Sequence, residues 1–424
     1  MTRFKLATAD TFRSLQHRNF RIFFITQGIS FTGTWLQLAA QIILVYRLTD
    51  SGTALGLLTA IQFAPTLLLG AWAGVVIDRH DKRRIMTVTS SAMLGAAAVL
   101  AVLVLTDRAT VGVVYALAAV LGLANTFDNP ARRTLVNDLV PAEALVNAIG
   151  LNSTLITSAR IIGPALAGGL IATVGIGWCF ALNAASFVPV LLGLRRMDGA
   201  TFRSKPVARA KGQLRAGLRY AMSVDDLRLP LLLMAVVGTL SFNFAVLLPL
   251  LAERDLGGSD VSYTVLTSFF GLGSLIGSLR MARRDTIDIR YLGQSALLLG
   301  LASGALAFSP SIPVAAAILV LAGYAGIGVL SGGNAVLQIA AAPEMRGRVL
   351  ALYTVVFLGS TPIGGPIAGW SAQRFGTPTG ILIGAVAAVA AGLAVIAFLH
   401  RRAGAAERLA TRADPAVIQV IDAV

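Results

Sequence analysis

The stretch Phe187-Val-Pro-Val-Leu-Leu-Gly-Leu-Arg195-Arg196-Met-Asp-Gly-Ala-Thr-Phe-Arg203-Ser-Lys205-Pro-Val-Ala-Arg209-Ala-Lys211-Gly-Gln-Leu-Arg215-Ala-Gly-Leu-Arg219 decides how the chain is organised. A long apolar run ends abruptly in basic residues. Residues 195–228 carry nine Lys and Arg before the next apolar run starts at Leu229. A membrane-spanning helix needs about 20 mainly apolar residues. Six such runs precede the basic segment, at 20–45, 53–77, 84–106, 110–130, 147–173 and 177–195. Six follow it, at 229–251, 260–280, 290–309, 312–336, 347–371 and 379–400. Pro310 and Pro313 separate the ninth run from the tenth, because two prolines favour a turn over one long helix.

Composition leads to the same class. Of 424 residues, 56% are hydrophobic and 13% charged, against roughly 25% charged in an average soluble domain. Mean hydropathy is +0.77. Too few polar residues remain to cover a watery surface, and a disordered chain is excluded by the same numbers. The expected fold is an all-α membrane protein of twelve transmembrane helices in two six-helix bundles. The expected divisions are an N-terminal bundle at 1–194, a basic linker at 195–228, a C-terminal bundle at 229–400 and a tail at 401–424.

The formal charge of +15 raises the question of a nucleic-acid partner. Placement of the charge answers it. With the N-terminus in the cytoplasm, 30 of the 35 Lys and Arg fall in cytoplasmic segments. Only Arg47, Arg108, Arg254 and Arg374 fall outside, and Arg160 lies within a span. That bias predicts both termini in the cytoplasm and accounts for the charge without nucleic acid. Cys179 is the single cysteine, so no intramolecular disulfide forms, and with three histidines no usual structural zinc site is expected. No metal or other cofactor is expected. Residues 1–18 lack the apolar core of a signal peptide.

The halves repeat. Pro141 precedes Gly163-Pro164 as Pro343 precedes Gly365-Pro366, an offset of 202 residues that also pairs Leu135 with Leu337. A parallel repeat of six spans is the plan of a two-bundle transporter.

The loop after the second span reads Gly74-Val-Val-Ile-Asp78-Arg79-His80-Asp81-Lys82-Arg83-Arg84. It resembles the signature loop of the major facilitator superfamily, Gly-x-x-x-Asp-Arg-x-Gly-Arg-Arg/Lys, with Asp81 in place of the second glycine. A further set of motifs narrows the resemblance. Arg18-Asn19-Phe20-Arg21, Thr34-Trp35-Leu36-Gln37 and Leu58-Thr59-Ala60-Ile61-Gln62-Phe63 lie in the first two spans. Phe127-Asp128-Asn129-Pro130-Ala131-Arg132-Arg133, Asp138-Leu139-Val140-Pro141, Asn147-Ala148-Ile149-Gly150-Leu151-Asn152-Ser153 and Ala159-Arg160-Ile161-Ile162-Gly163-Pro164 follow. Together these look like the enterobactin-exporter-like branch of that superfamily. Gly163-Pro164 with Gly168-Gly169 resembles the motif of exporters, with three residues between Pro164 and Gly168 where the pattern has two.

The resemblance implies a proton-driven secondary transporter in a bacterial inner membrane, exporting an amphipathic small molecule such as a drug or siderophore. It implies a gate built from Gly74, Asp78, Arg79, Arg83, Arg132, Gly163 and Pro164. An importer of a polar solute, or a receptor with the same fold and no flux, stays open. An enzyme is not expected, since no nucleophile–base constellation is visible. Expected partners are the small-molecule substrate and membrane lipids, and a monomer is expected.

Polar residues inside apolar spans nominate the substrate site. Arg160 is the sharpest, and Ser153, Thr157 and Arg160 share a helical face at i, i+4, i+7. Gln27, Ser30, Thr34, Gln37 and Gln41 form one polar stripe along the first span, read either as substrate contacts or as interhelical hydrogen bonds. Asp128 could carry a coupling proton or pair with Arg132 at i+4. In the second half Asn243, Tyr324 and Tyr353 are substrate candidates, with Thr264, Thr267, Asn334 and Gln338 as further polar positions. Gly271, Gly273 and Gly277 follow no strand, so close helix packing is favoured there over a phosphate loop.

Overall fold

A computed structural model describes residues 12–197, 213–284 and 286–412. Short polar signals stop and restart the helices where the apolar runs break. In chain order these are α1 (Arg18–Thr49), α2 (Gly52–Arg79), α3 (Lys82–Leu105), α4 (Val111–Leu139), α5 (Ala142–Thr173), α6 (Ile176–Arg196) and α7 (Gln213–Ser223). The rest are α8 (Asp225–Leu240), α9 (Phe244–Leu250), α10 (Asp260–Met281), α11 (Ile289–Ala307), α12 (Ile312–Ala340), α13 (Pro343–Phe375) and α14 (Thr377–Arg412). The Ser51 hydroxyl accepts from Ala54 N–H to cap α2, and the Asp81 carboxylate accepts from Arg83 N–H at 2.9 Å to cap α3. Asp81 therefore does local work where the signature loop usually has glycine. Gly175 and Gly376, with φ of 95° and 89°, turn the chain after α5 and after α13. Only glycine adopts such angles freely, and the two turns sit at matching places in the two halves.

Among the described residues, eleven helices are long and apolar enough to cross a membrane, α8 and α9 counting as one. The remaining predicted span, α11, has 19 residues and includes Arg290 and Gln294. It still packs as a member of the bundle, between α12 and α14, as α3 packs between α4 and α6. Large apolar side chains such as Leu68, Val88, Val102, Val146 and Val386 point outward and stay exposed. A surface of that kind suits lipid, not water.

The structure adds three details to the expected spans. The seventh span, expected as one helix over 229–251, breaks between Leu240 and Phe244. The Asn243 amide donates to Thr239 O at 2.8 Å and the Ser241 hydroxyl to Gly384 O at 2.6 Å. Side chains thus serve carbonyls near the break. Part of the basic linker is helical, because α7 docks on α13: Gly217 sits against Arg348, and Ala342 N–H donates to Tyr220 Oη at 3.2 Å. The expected tail starts as helix, α14 running on to Arg412. Residues 198–212, with Lys205, and 413–424 lie outside the described residues.

Within the first half α1 packs on α5 and α6, and α2 on α4. In the second half α10 packs on α12, and α13 on α8. The two largest contacts between the halves are α2 with α13 and α5 with α10. The sequence repeat relates one pair to the other, since it maps the second span onto the eighth and the fifth onto the eleventh. Gly52 and Gly56 of α2 face Gly365 and Gly369 of α13. A Cβ on Gly56 would lie 2.5 Å from the Gly365 carbonyl oxygen. Small residues let the helix backbones touch. Beside them Arg47 Nε donates to Asp260 Oδ2 at 2.8 Å, Arg254 pairs with Asp50 at 3.3 Å, and Gly52 N–H donates to Gln373 Oε1 at 2.9 Å. All these contacts lie at the helix ends remote from the basic loops.

Candidate functional site

Closing the halves at one end and parting them at the other leaves a cavity of about 1730 Å³ between them. Its mouth lies at the basic end, where Arg79, Arg133, Glu344 and Arg348 line it. Gly74, at the start of the signature loop motif, also lines it. Two further residues of that loop are tied into their own half: Lys82 pairs with Asp138 at 2.7 Å, and the Arg83 guanidinium donates to Arg195 O at 3.0 Å. The Asp78 side chain lies outside what the structure describes.

Deeper in, α1 and α5 build one wall. Gly163 makes their approach possible. A Cβ there would meet Trp35 Cβ at 2.5 Å and Leu36 N at 2.9 Å. One turn before Gly163, the Arg160 guanidinium lies over the Trp35 ring, 4.8 Å from its centroid. One turn earlier on α1, the Arg132 guanidinium lies over Phe31 at 4.4 Å. The two cations are held differently. Arg132 is also paired with Asp128, whose carboxylate accepts from the Thr89 hydroxyl at 2.8 Å and is 1% exposed. Arg160 has neither a salt bridge nor a protein hydrogen bond among the described residues; Trp35 is its one partner.

The magnitudes matter here. A charge near the centre of a bilayer costs at least about 2.5–3.5 kcal/mol. Arg160 lies near the middle of the 32-residue α5. A cation over an aromatic face returns about 0.5–2 kcal/mol. Trp35 therefore offsets part of the cost, and the rest falls to whatever fills the cavity.

The α1 stripe divides. Thr34, Gln37 and Gln41 line the cavity, while Gln27 and Ser30 are buried away from it. Gln37 Oε1 accepts from the Asn183 amide at 2.6 Å. Gln41 is 1% exposed, and neither polar atom of its side chain has a partner. On α5 the lining face is Asn152, Ile156, Arg160 and Pro164, not the expected Ser153–Thr157–Arg160 face. The Ser153 hydroxyl donates to Ile149 O at 2.9 Å and Thr157 to Ser153 O at 3.0 Å. Hydroxyls satisfied one turn back on their own helix do not need a wet cavity.

The second half supplies an aromatic wall. The break between α8 and α9 brings Phe242 and Phe244 to the cavity, where they meet Phe357 at 6.0 Å and Phe270 at 4.8 Å between ring centroids. Thr267 also lines it. The other polar candidates there do not. Asn243 is buried at the helix break, the Tyr353 hydroxyl donates to Leu330 O at 2.7 Å, and Thr264, Tyr324, Asn334 and Gln338 lie off the lining. Sequence reasoning missed Trp35 and Phe31, because aromatic partners depend on which helices meet.

Comparisons with known proteins agree with this geometry. The family model described as "Transmembrane secretion effector" matches residues 9–422. The staphyloferrin A transporter of Staphylococcus aureus is 24% identical over 84% of this chain and 90% of its own length. The multidrug efflux pump Tap of Mycobacterium tuberculosis is 27% identical over 83% of this chain and 87% of its own. Among solved structures, a bacterial homologue of the iron transporter ferroportin in an inward-facing state superposes with a TM-score of 0.71 at 17% identity. It covers 89% of this chain and 98% of that one.

Proposed function

The chain belongs to the transmembrane secretion effector family of the major facilitator superfamily, a family of membrane transporters for small molecules, and on that premise we propose that it exports an amphipathic compound by alternating access. The observation that carries the proposal is one deep cavity with a cationic, amide-bearing wall on α1 and α5 and a phenylalanine wall opposite. Such a lining suits a molecule with a polar end and an apolar body. The two bundles, divided at the linker 195–228, rock about the interface of α2 with α13 and α5 with α10. The basic end faces the cytoplasm, as the charge bias requires, so this structure is the state that loads substrate from inside. A relative named for multidrug efflux supports the export reading, and one named for staphyloferrin A transport supports a small-molecule substrate.

The coupling energy is the proton gradient, and the protein acts as a monomer in the cell membrane. Substrate-panel efflux from cells lacking their own pumps, with and without an uncoupler, tests the proposal. Expected is efflux that stops on adding the uncoupler, with matching uptake into everted vesicles. Uptake into right-side-out cells would make it an importer. Binding without flux in either direction would make it a receptor.

A further inference from the structure

The charges lining the cavity are unbalanced. Arg79, Arg132, Arg133, Arg160 and Arg348 line it, with Glu344 the sole acid among its described lining residues. Most of these lie towards the mouth, and Arg132 is neutralised by Asp128. Arg160 is the cation near mid-helix without an acidic partner among the described residues. Its guanidinium lies over the Trp35 ring, and its N–H edge meets no protein acceptor among the described residues. That edge is the one that binds a carboxylate through two parallel hydrogen bonds.

A second observation lies further in. Gln41 is six residues beyond Trp35, or about 9 Å of helix rise. It lines the same cavity, and both its amide atoms are buried without a partner. Buried polar atoms without partners are uncommon and call for a ligand or water. Across from both groups stand Phe242, Phe244, Phe270 and Phe357.

Resting on the export reading above, we infer that Arg160 on Trp35 is a built anion site. The transported molecule carries a carboxylate or similar planar anion there, an aromatic or apolar body against the phenylalanine wall, and a hydrogen-bonding group about 9 Å further in at Gln41. Gly163 is a positioning residue of this site, because it sets the α1–α5 distance that lays the guanidinium on the ring.

The test uses the purified full chain in nanodiscs of uncharged lipid. The probes are matched pairs, 2-naphthoate with 2-naphthamide and 1-pyrenebutyrate with its amide, together with 2-naphthylmethylammonium. Binding is measured by calorimetry. Each carboxylate is expected to bind at least about tenfold tighter than its amide, and the ammonium weakest. Arg160→Gln should remove the carboxylate preference, and Arg160→Lys should keep a fraction of it, since the charge stays but the fork is lost. The wild-type ratio stands as a test even if a variant fails to fold. Equal or better binding of the amides or the ammonium overturns the inference. So does a carboxylate preference that survives Arg160→Gln, or failure of every carboxylate to bind at millimolar concentration. Flux of the same probes in everted vesicles is read separately. Carboxylate-selective binding without flux sinks the export reading and leaves the anion site. Flux without selectivity does the reverse.

Discussion

Asp128 shows how partners sharpen the reading of a single residue. The sequence allowed it to be a proton carrier or half of an ion pair. In the structure its carboxylate is almost wholly buried and takes donors from both Thr89 and Arg132. Removing the charge alone would strand the Arg132 guanidinium, whose Nε is already buried without a partner. Asp128→Asn is therefore expected to cost up to about 3 kcal/mol of stability, since breaking a buried pair costs more than the pair supplies. Asp128→Asn with Arg132→Met should recover most of that loss, measured as the thermal midpoint in detergent. A stable double variant that transports but no longer responds to an uncoupler would instead make Asp128 the coupling acid. Arg160 was legible because a charge in an apolar run stands out on cost alone. Trp35 was not, because nothing in the sequence says which ring a guanidinium will meet.

Whole helices were more legible than their faces. Apolar runs between charged clusters and the two prolines at 310 and 313 placed the spans, but not the break within the seventh, which Ser241 and Asn243 stabilise inside an apolar stretch. Side-chain polarity misassigned the α5 face, because Ser153 and Thr157 satisfy themselves on their own helix. Of the glycines at the closed end only Gly365 stood out in the sequence, as part of the repeat, and the others find their partners only where α2 meets α13. That seal gives an element-scale prediction. Gly56→Val would drive a side chain onto the backbone of Gly365 and Pro366, which cannot move aside as a flexible side chain would. Overpacking of this kind costs about 1–3 kcal/mol, here charged against the state sealed at this end. The variant should favour the opposite state by about five- to 150-fold. Spin labels across the closed end, on Gln373 and Asp50, should show a longer distance than in the parent protein. An unchanged distance would mean that the glycine contact does not hold the seal.

At the scale of the whole molecule, orientation turns geometry into direction of transport. The cavity opens at the end where the Lys and Arg collect, and the Arg47–Asp260 and Arg254–Asp50 pairs close the other. If the basic end is cytoplasmic, the structure is loaded from inside. If it is external, the same coordinates describe a molecule waiting for a ligand from outside, and export fails as a reading. Cysteine labelling separates the two. The native Cys179 is fully buried, and Cys179→Ser removes any background. Cysteines at Asp107, between α3 and α4, and at Asp255, after α9, should then react with a membrane-impermeant maleimide in intact cells. A cysteine at Asp81, between α2 and α3, should react only after permeabilisation. These positions sit in different halves and on opposite ends, so one inverted helix could not satisfy all three. Labelling of Asp81→Cys in intact cells, with Asp107→Cys and Asp255→Cys protected, would invert the protein and with it the direction in which the cavity fills.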